Sequence, residues 1–233
     1  MKKIFTIASK ELSLSFKSAL AYIVLIVTVS VFNIFFFLVF DQNREASLRD
    51  MFQLMEFMFV FIIPLLTMKI FAEEKRSGTI ELLMTCPVKN ITIILGKYFG
   101  SLLFLTILLG ITIIYYCIVE YFGSPDRGAV LAGYFGIWLE GALFVAIGLM
   151  TSSLTKSQII AAMCSYVIIF LLYFSSSFIK YFDAATQNVI KYLSLLSHSE
   201  NLSAGLVTTG DLTYYLSGII FCLVLTKLSL ENK

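Results

Sequence analysis

Six long apolar runs organise the chain, at roughly 20–40, 51–70, 97–119, 129–150, 158–179 and 211–228. Each is about 18–23 residues, the length a helix needs to cross the hydrocarbon core of a bilayer. They are too long for the core strands of a small soluble domain. The pattern predicts an all-α membrane protein with six transmembrane helices. No Gly/Pro/Ser-rich linker, charge block or internal repeat divides it, so residues 1–233 read as one membrane domain.

Composition narrows the function. Of 233 residues, 59% are hydrophobic and 14% charged, against about 25% charged in a soluble domain. A soluble enzyme and a disordered chain are excluded. The net charge of +2 is too small for a nucleic-acid binder. Cys86, Cys117, Cys164 and Cys222 form no CxxC pair, and three lie in apolar runs, where Cys acts as a small hydrophobe.

Charge sets the orientation. With six spans both ends share a side, which carries Lys2, Lys3, Lys10, Lys17, the 69–97 connection, Lys156, Lys227 and Lys233. That side holds twelve basic residues, and the other holds five: Arg44, Arg49, Arg127, Lys180 and Lys191. The bias predicts cytoplasmic termini. The outer side is assigned most of the acids, including Glu56 and Asp211. Tyrosines at the run ends, such as Tyr98, Tyr115 and Tyr214, suit interfacial belts.

On a helix, residues 2–17 split into a basic polar arc and an apolar arc of Ile4, Phe5, Ile7, Ala8, Leu12, Leu14 and Phe16. This is the pattern of an amphipathic helix lying in the headgroup plane. It serves either as a topology anchor or as an elbow supporting a cytoplasmic partner. Glu11 falls inside the apolar arc and needs a partner, such as a basic residue of the next connection.

The connection between spans two and three reads Phe71-Ala72-Glu73-Glu74-Lys75-Arg76-Ser77-Gly78-Thr79-Ile80-Glu81-Leu82-Leu83-Met84-Thr85-Cys86-Pro87. Ile80, Leu83 and Met84 share a helical face, and Pro87 stops the run. A second short approach, Ile91 to Lys97, leads into span three. By pattern alone the stretch is a solvated charged turn or a short helix lying across the cytoplasmic face.

The stretch resembles the first intracellular loop of the ABC-2 type transporter permeases, with a Phe-x-x-Glu, basic, Gly-Thr-x-Glu-Leu-Leu, Pro pattern. Phe71, Glu74, Lys75, Arg76, Gly78, Thr79, Glu81, Leu82, Leu83 and Pro87 carry the match. Leu95-Gly96-Lys97, the Gly133–Ala162 region with Ser152-Ser153-Leu154-Thr155, and the Tyr192–Thr226 region resemble further parts of the family. The nearest branch is the bacterial one of gliding-motility-associated and copper-enzyme-maturation permeases. Ser199 departs from it, standing where that pattern has Phe.

The resemblance implies the membrane half of an ATP-driven transporter, with a second copy or a related permease and two separate ABC ATPase subunits. Residues 73–84 would be the coupling helix: Glu73, Glu74, Lys75, Arg76 and Glu81 offer charge-assisted contacts to the ATPase, Ile80, Leu83 and Met84 insert into its surface, and Gly78, Thr79 and Leu82 complete the coupling stretch. ATP and Mg would sit on the partner, because no G-x-x-x-x-G-K-[ST] phosphate loop occurs here. The chain would be a transport subunit with no ATPase site, biased towards export, in the bacterial plasma membrane. The segment before span six would be re-entrant, and spans two and five would line the route, with Met55, Phe59, Ser165, Tyr166 and Phe170 as candidates.

Glu140 lies mid-span, where a charge costs about 2.5–3.5 kcal/mol on insertion scales. It is either a substrate or proton contact or a hydrogen-bonded packing residue beside Gly141. Met51, Met55 and Met58 form a stripe that suits packing or lipid. Pro64 is expected to kink span two unless neighbours satisfy the freed carbonyl. Gly96 and Gly100 make a GxxxG. His198 is the only histidine, which favours a hydrogen-bonded structural role over a metal cage. A membrane-embedded protease is the competing reading for the Glu73-Glu74 pair, but it lacks a histidine within a span. A channel or scaffold is a third, and no acidic ring or carbonyl filter supports it.

Overall fold

The computed structural model describes residues 2–43, 47–81, 88–176, 187, 190, 192–203 and 205–231. Among these residues the chain is helical, with no strand. The helices are α1 (Lys2–Phe16), α2 (Ala19–Asn43), α3 (Arg49–Thr67), α4 (Lys69–Ser77), α5 (Asn90–Phe122), α6 (Arg127–Leu154), α7 (Gln158–Phe174), α8 (Leu195–Ser203) and α9 (Thr209–Glu231). Five stretches are long and apolar enough to cross a membrane: α2, α3 continued by α4, α5, α6 and α9. The remaining run forms α7, an apolar helix of 17 residues, at the lower limit for spanning. Its expected end at 177–179 lies outside the described residues.

The separate approach at Ile91–Lys97 does not exist as such. It is the start of α5, one uninterrupted helix of 33 residues, about 50 Å long at 1.5 Å per residue. A span needs about 30 Å of that, and the surplus at the start of α5 is what carries α1. The buried side of α1 runs through Ile4, Ile7, Ala8, Glu11, Leu12, Ser15 and Phe16, the i, i+3, i+4 stripe of an amphipathic helix. The GxxxG is the seat of α1 and not a contact between two spans. A Cβ at Gly96 would lie 2.6 Å from Ile7 Cβ, and one at Gly100 would lie 2.7 Å from Glu11 Cβ. Only a bare backbone lets α1 come this close.

The central helix is α6, which packs on α3, α4, α5, α7, α8 and α9. Asp126 caps its first turn, accepting from the Gly128 N–H at 2.9 Å. Its glycines let neighbours approach: Cβ atoms at Gly133 and Gly148 would collide with the Phe52 ring and with Thr67. The methionine stripe belongs to this packing, with Met51 and Met55 buried in the core and Met58 against it. Pro64 does not break α3. The helix continues one turn past it to Thr67, although the proline leaves the Val60 carbonyl without its amide donor. Helix α8 is seated on α3, α6 and α7 through buried Leu195 and Leu202. Most of the expected re-entrant connection before it (177–186, 188–189 and 191) lies outside the described residues.

Candidate functional site

A polar side chain from a distant helix enters the joint between α3 and α4. Met68 between the two helices keeps helical dihedrals. Ser152 of α6 inserts its side chain at this point. Its Oγ accepts from the Phe71 and Ala72 N–H groups at 3.0 Å each and donates to the Met68 carbonyl at 2.9 Å. The first N–H groups of a helix lack intrahelical partners and need outside acceptors when buried. Here a hydroxyl some eighty positions away in sequence supplies one for Phe71, and also bonds the next amide, Ala72.

The far end of α4 is set locally. Gly78 has φ 73° and ψ −1°, the left-handed conformation that favours glycine at a helix end. Nothing lies within 4 Å of where its Cβ would be, so the backbone conformation, and not crowding, calls for glycine here. Ser77 Oγ donates to the Glu73 carbonyl at 2.9 Å, and the Ser77 and Thr79 hydroxyls are 2.9 Å apart. Lys75 and Arg76 fall in the last turn, which the helix dipole favours. Thr79, Ile80 and Glu81 are again helical.

Lys97 of α5 ties this lever to α1. Its ammonium lies 2.8 Å from Glu74 Oε1 and 3.4 Å from Glu11 Oε2, and donates to the Ile70 carbonyl at 3.0 Å. It also sits 5.1 Å from the Phe71 ring centroid, within cation–π range. Its side chain is only 4% exposed. Glu11 thus has the basic partner its place in the apolar arc demanded. Glu74 is turned inward to the same cation.

The residues expected to contact an ATPase therefore divide. Arg76, Ser77, Gly78, Thr79 and Glu81 are exposed, as is Glu73, which lines a cavity beside α1. Lys75 departs from the surface role expected of it. It is buried, and its ammonium donates to the Ser153 carbonyl of α6. Phe71 and Lys75 are four residues apart and share the face that α6 covers. Ile80 is buried against this chain's own core. Leu82, Leu83 and Met84 lie outside the described residues.

Inside the membrane the route candidates are mostly packed away. Met55 and Phe59 are core residues, and Ser165 is buried with its hydroxyl on Thr151. Tyr166 donates to the Phe61 carbonyl at 2.8 Å, and Phe170 meets the Phe61 ring at 5.5 Å, both on half-buried positions of α7. Glu140 is fully buried with no hydrogen-bond partner on either oxygen, so the hydrogen-bonded packing role is not what the structure shows. Glu56 and Tyr215 lie within its electrostatic reach.

Glu56 is the residue the charge count misplaced. Because α3 begins at Arg49, it lies seven residues, about 10 Å, inside the helix, and is buried. Its position within the 51–70 run was the available signal. Asp211 is likewise buried. His198 is hydrogen-bonded as expected: Nδ1 is 2.6 Å from Asp211 Oδ1, Nε2 is 3.0 Å from the Tyr192 carbonyl oxygen, and the ring stacks on Tyr214 at 4.3 Å.

Glu140→Gln removes the charge and keeps the shape, so it is expected to insert and assemble like the parent protein. Size-exclusion profiles of the solubilised proteins check this, and loss of insertion would make the acid itself structural.

An apolar helical bundle with an amphipathic leading helix packed on it defines an all-α membrane protein. The family described as ABC-2 family transporter protein matches residues 5–230. The chain belongs to that family, and it is a multi-pass permease subunit of an ABC transporter. No curated protein matches it significantly.

Proposed function

We propose that this permease serves an exporter of the bacterial plasma membrane, in the branch that its loop and C-terminal patterns resemble. It acts as one transmembrane domain over residues 1–233, with both termini in the cytoplasm. It pairs with a second copy or a related permease and docks two separate ABC ATPase subunits, which hold the ATP and Mg. Substrate moves by alternating access. The observation that supports this best is α4: its inner face is bonded to α5 and α6 through Lys97, Lys75 and Ser152, while Arg76 and Glu81 remain exposed beyond it. Force on those exposed charges passes into two spans through close-packed contacts, which shift as rigid bodies and do not deform smoothly. In this reading Gly78, Thr79 and Ile80 hold the turn, and Leu82, Leu83 and Met84 complete the docking helix.

The test is the double variant Arg76→Ala, Glu81→Ala in the reconstituted transporter. Stimulation of the cognate ATPase and substrate movement are expected to fall at least tenfold. Thermal unfolding should change by less than about 1 kcal/mol, as for exposed positions in general. Normal transport by this variant would overturn the docking assignment.

A further inference from the structure

One glycine stands apart from the others in the spans. Beyond the first turns of the span helices, each of the others makes room for a neighbour. A Cβ at Gly96, Gly133, Gly141 or Gly218, for example, would lie within 3 Å of a side chain from another helix. Gly110, inside α5, has nothing within 4 Å of its Cβ position and is exposed. Glycine weakens a helix relative to an ordinary residue, and among the described residues nothing takes up the room this one leaves. That room is part of a groove of about 550 Å³ between α5 and α6.

The groove is apolar between its ends, where Leu109, Ile113, Leu131 and Phe135 line it. Two polar groups of its wall are already bonded. Trp138 Nε1 donates to Thr106 Oγ at 3.1 Å, which joins the two helices at one end, and Tyr134 OH donates to the Thr112 carbonyl at 2.8 Å. At the other end stands Arg127, the first residue of α6, with its side chain 78% exposed. It donates to Glu120 Oε1 at 2.7 Å. A guanidinium carries five N–H donors, so most of its capacity remains at the mouth of the groove.

Length and width select the occupant. The wall from Arg127 to Trp138 is about 16 Å long at 1.5 Å per residue, and one leaflet is about half of the 30 Å hydrocarbon core. The groove thus runs from the end of a span to about mid-membrane. Its volume over that length gives a mean cross-section of about 33 Å², and a helix about 10–12 Å thick needs more than twice that. A helix of a second copy is too broad for it, whereas a hydrocarbon chain is not. We propose that this groove binds one phospholipid, with one acyl chain lying over Gly110 and the phosphodiester held by Arg127. The guanidinium fork matches a pair of phosphate oxygens. That contact is to the group all phospholipids share, so the site separates them from lipids that lack a phosphate. It stands on the groove and Arg127 and does not depend on which ATPase docks or in which direction cargo moves.

The test is native mass spectrometry of the full-length protein, solubilised in a maltoside detergent and offered phosphatidylethanolamine, phosphatidylglycerol and diacylglycerol of identical chains. One phospholipid per chain is expected to be retained, and either phospholipid at least tenfold over diacylglycerol. Gly110→Phe has space for its ring only in the groove and should lower phospholipid retention about tenfold, with thermal unfolding in detergent no lower than the parent's. Ile111→Phe, exposed on another face of α5, should change nothing. Arg127→Gln should bring phospholipid retention down to that of diacylglycerol. Equal retention of diacylglycerol, no retained lipid, or an equal effect of Ile111→Phe would each overturn the proposal. So would a Gly110→Phe protein that keeps its lipid but loses its dimer, because the groove would then seat a second copy.

Discussion

Replacing Lys97 by Met is expected to destabilise the protein by about 2–4 kcal/mol and to disconnect α1 from α4. The substitution keeps the apolar stem and removes the ammonium. Glu74 and Glu11 are then left facing each other at 28% and 14% exposure, and the Ile70 carbonyl loses its side-chain donor. Removing one partner of a buried ion pair costs about 3–5 kcal/mol, and partial exposure of the two acids lowers that here. Thermal unfolding followed by the single tryptophan reads the effect, since Trp138 is held by Thr106 Oγ at 3.1 Å between α5 and α6. Adding Glu11→Gln and Glu74→Gln to Lys97→Met removes the repulsion and should recover most of the loss. If Lys97→Met unfolded with the parent protein, the node would hold nothing together. If the triple variant recovered nothing, packing and not charge would explain the cost.

Ser152→Ala is the second large effect, at about 2–4 kcal/mol. One oxygen serves two buried N–H groups and one carbonyl, and each buried polar group left without a partner costs about 1–3 kcal/mol. The helix has one way to recover. Phe71 can return its N–H group to the Thr67 carbonyl in the ordinary i→i−4 ladder, as Ala72 can rely on Met68, which requires the joint at Met68 to rearrange. That movement displaces Arg76 and Glu81 from their position over α6, so ATPase coupling is expected to suffer more than stability. Hydrogen exchange at residues 69–77 measures it: protection should fall at least tenfold in the variant, and unchanged protection would show that Ser152 does not hold the joint.

The amino-acid pattern alone specified the long apolar helices and the amphipathic leader, but not α4 or α8. The six runs and the amphipathic leader with Glu11 in need of a cation are local properties of spacing and backbone preference. A helix also exposes its period to inspection, which is why the inward face of α9 (Tyr215, Ile219, Cys222, Thr226 and Leu230) recurs every three or four positions. What periodicity does not contain is the partner of each face. Lys75, Lys97 and Glu56 are charged residues beside or within apolar runs, and only the placement of α6 and α1 against them determined that they turn inward. The seat of α1 on Gly96 and Gly100 and the Ser152 cap on α4 join positions some eighty or more residues apart. Contacts at that separation leave no local trace in a single chain, because each group looks satisfied by water until the helices pack and take the water away.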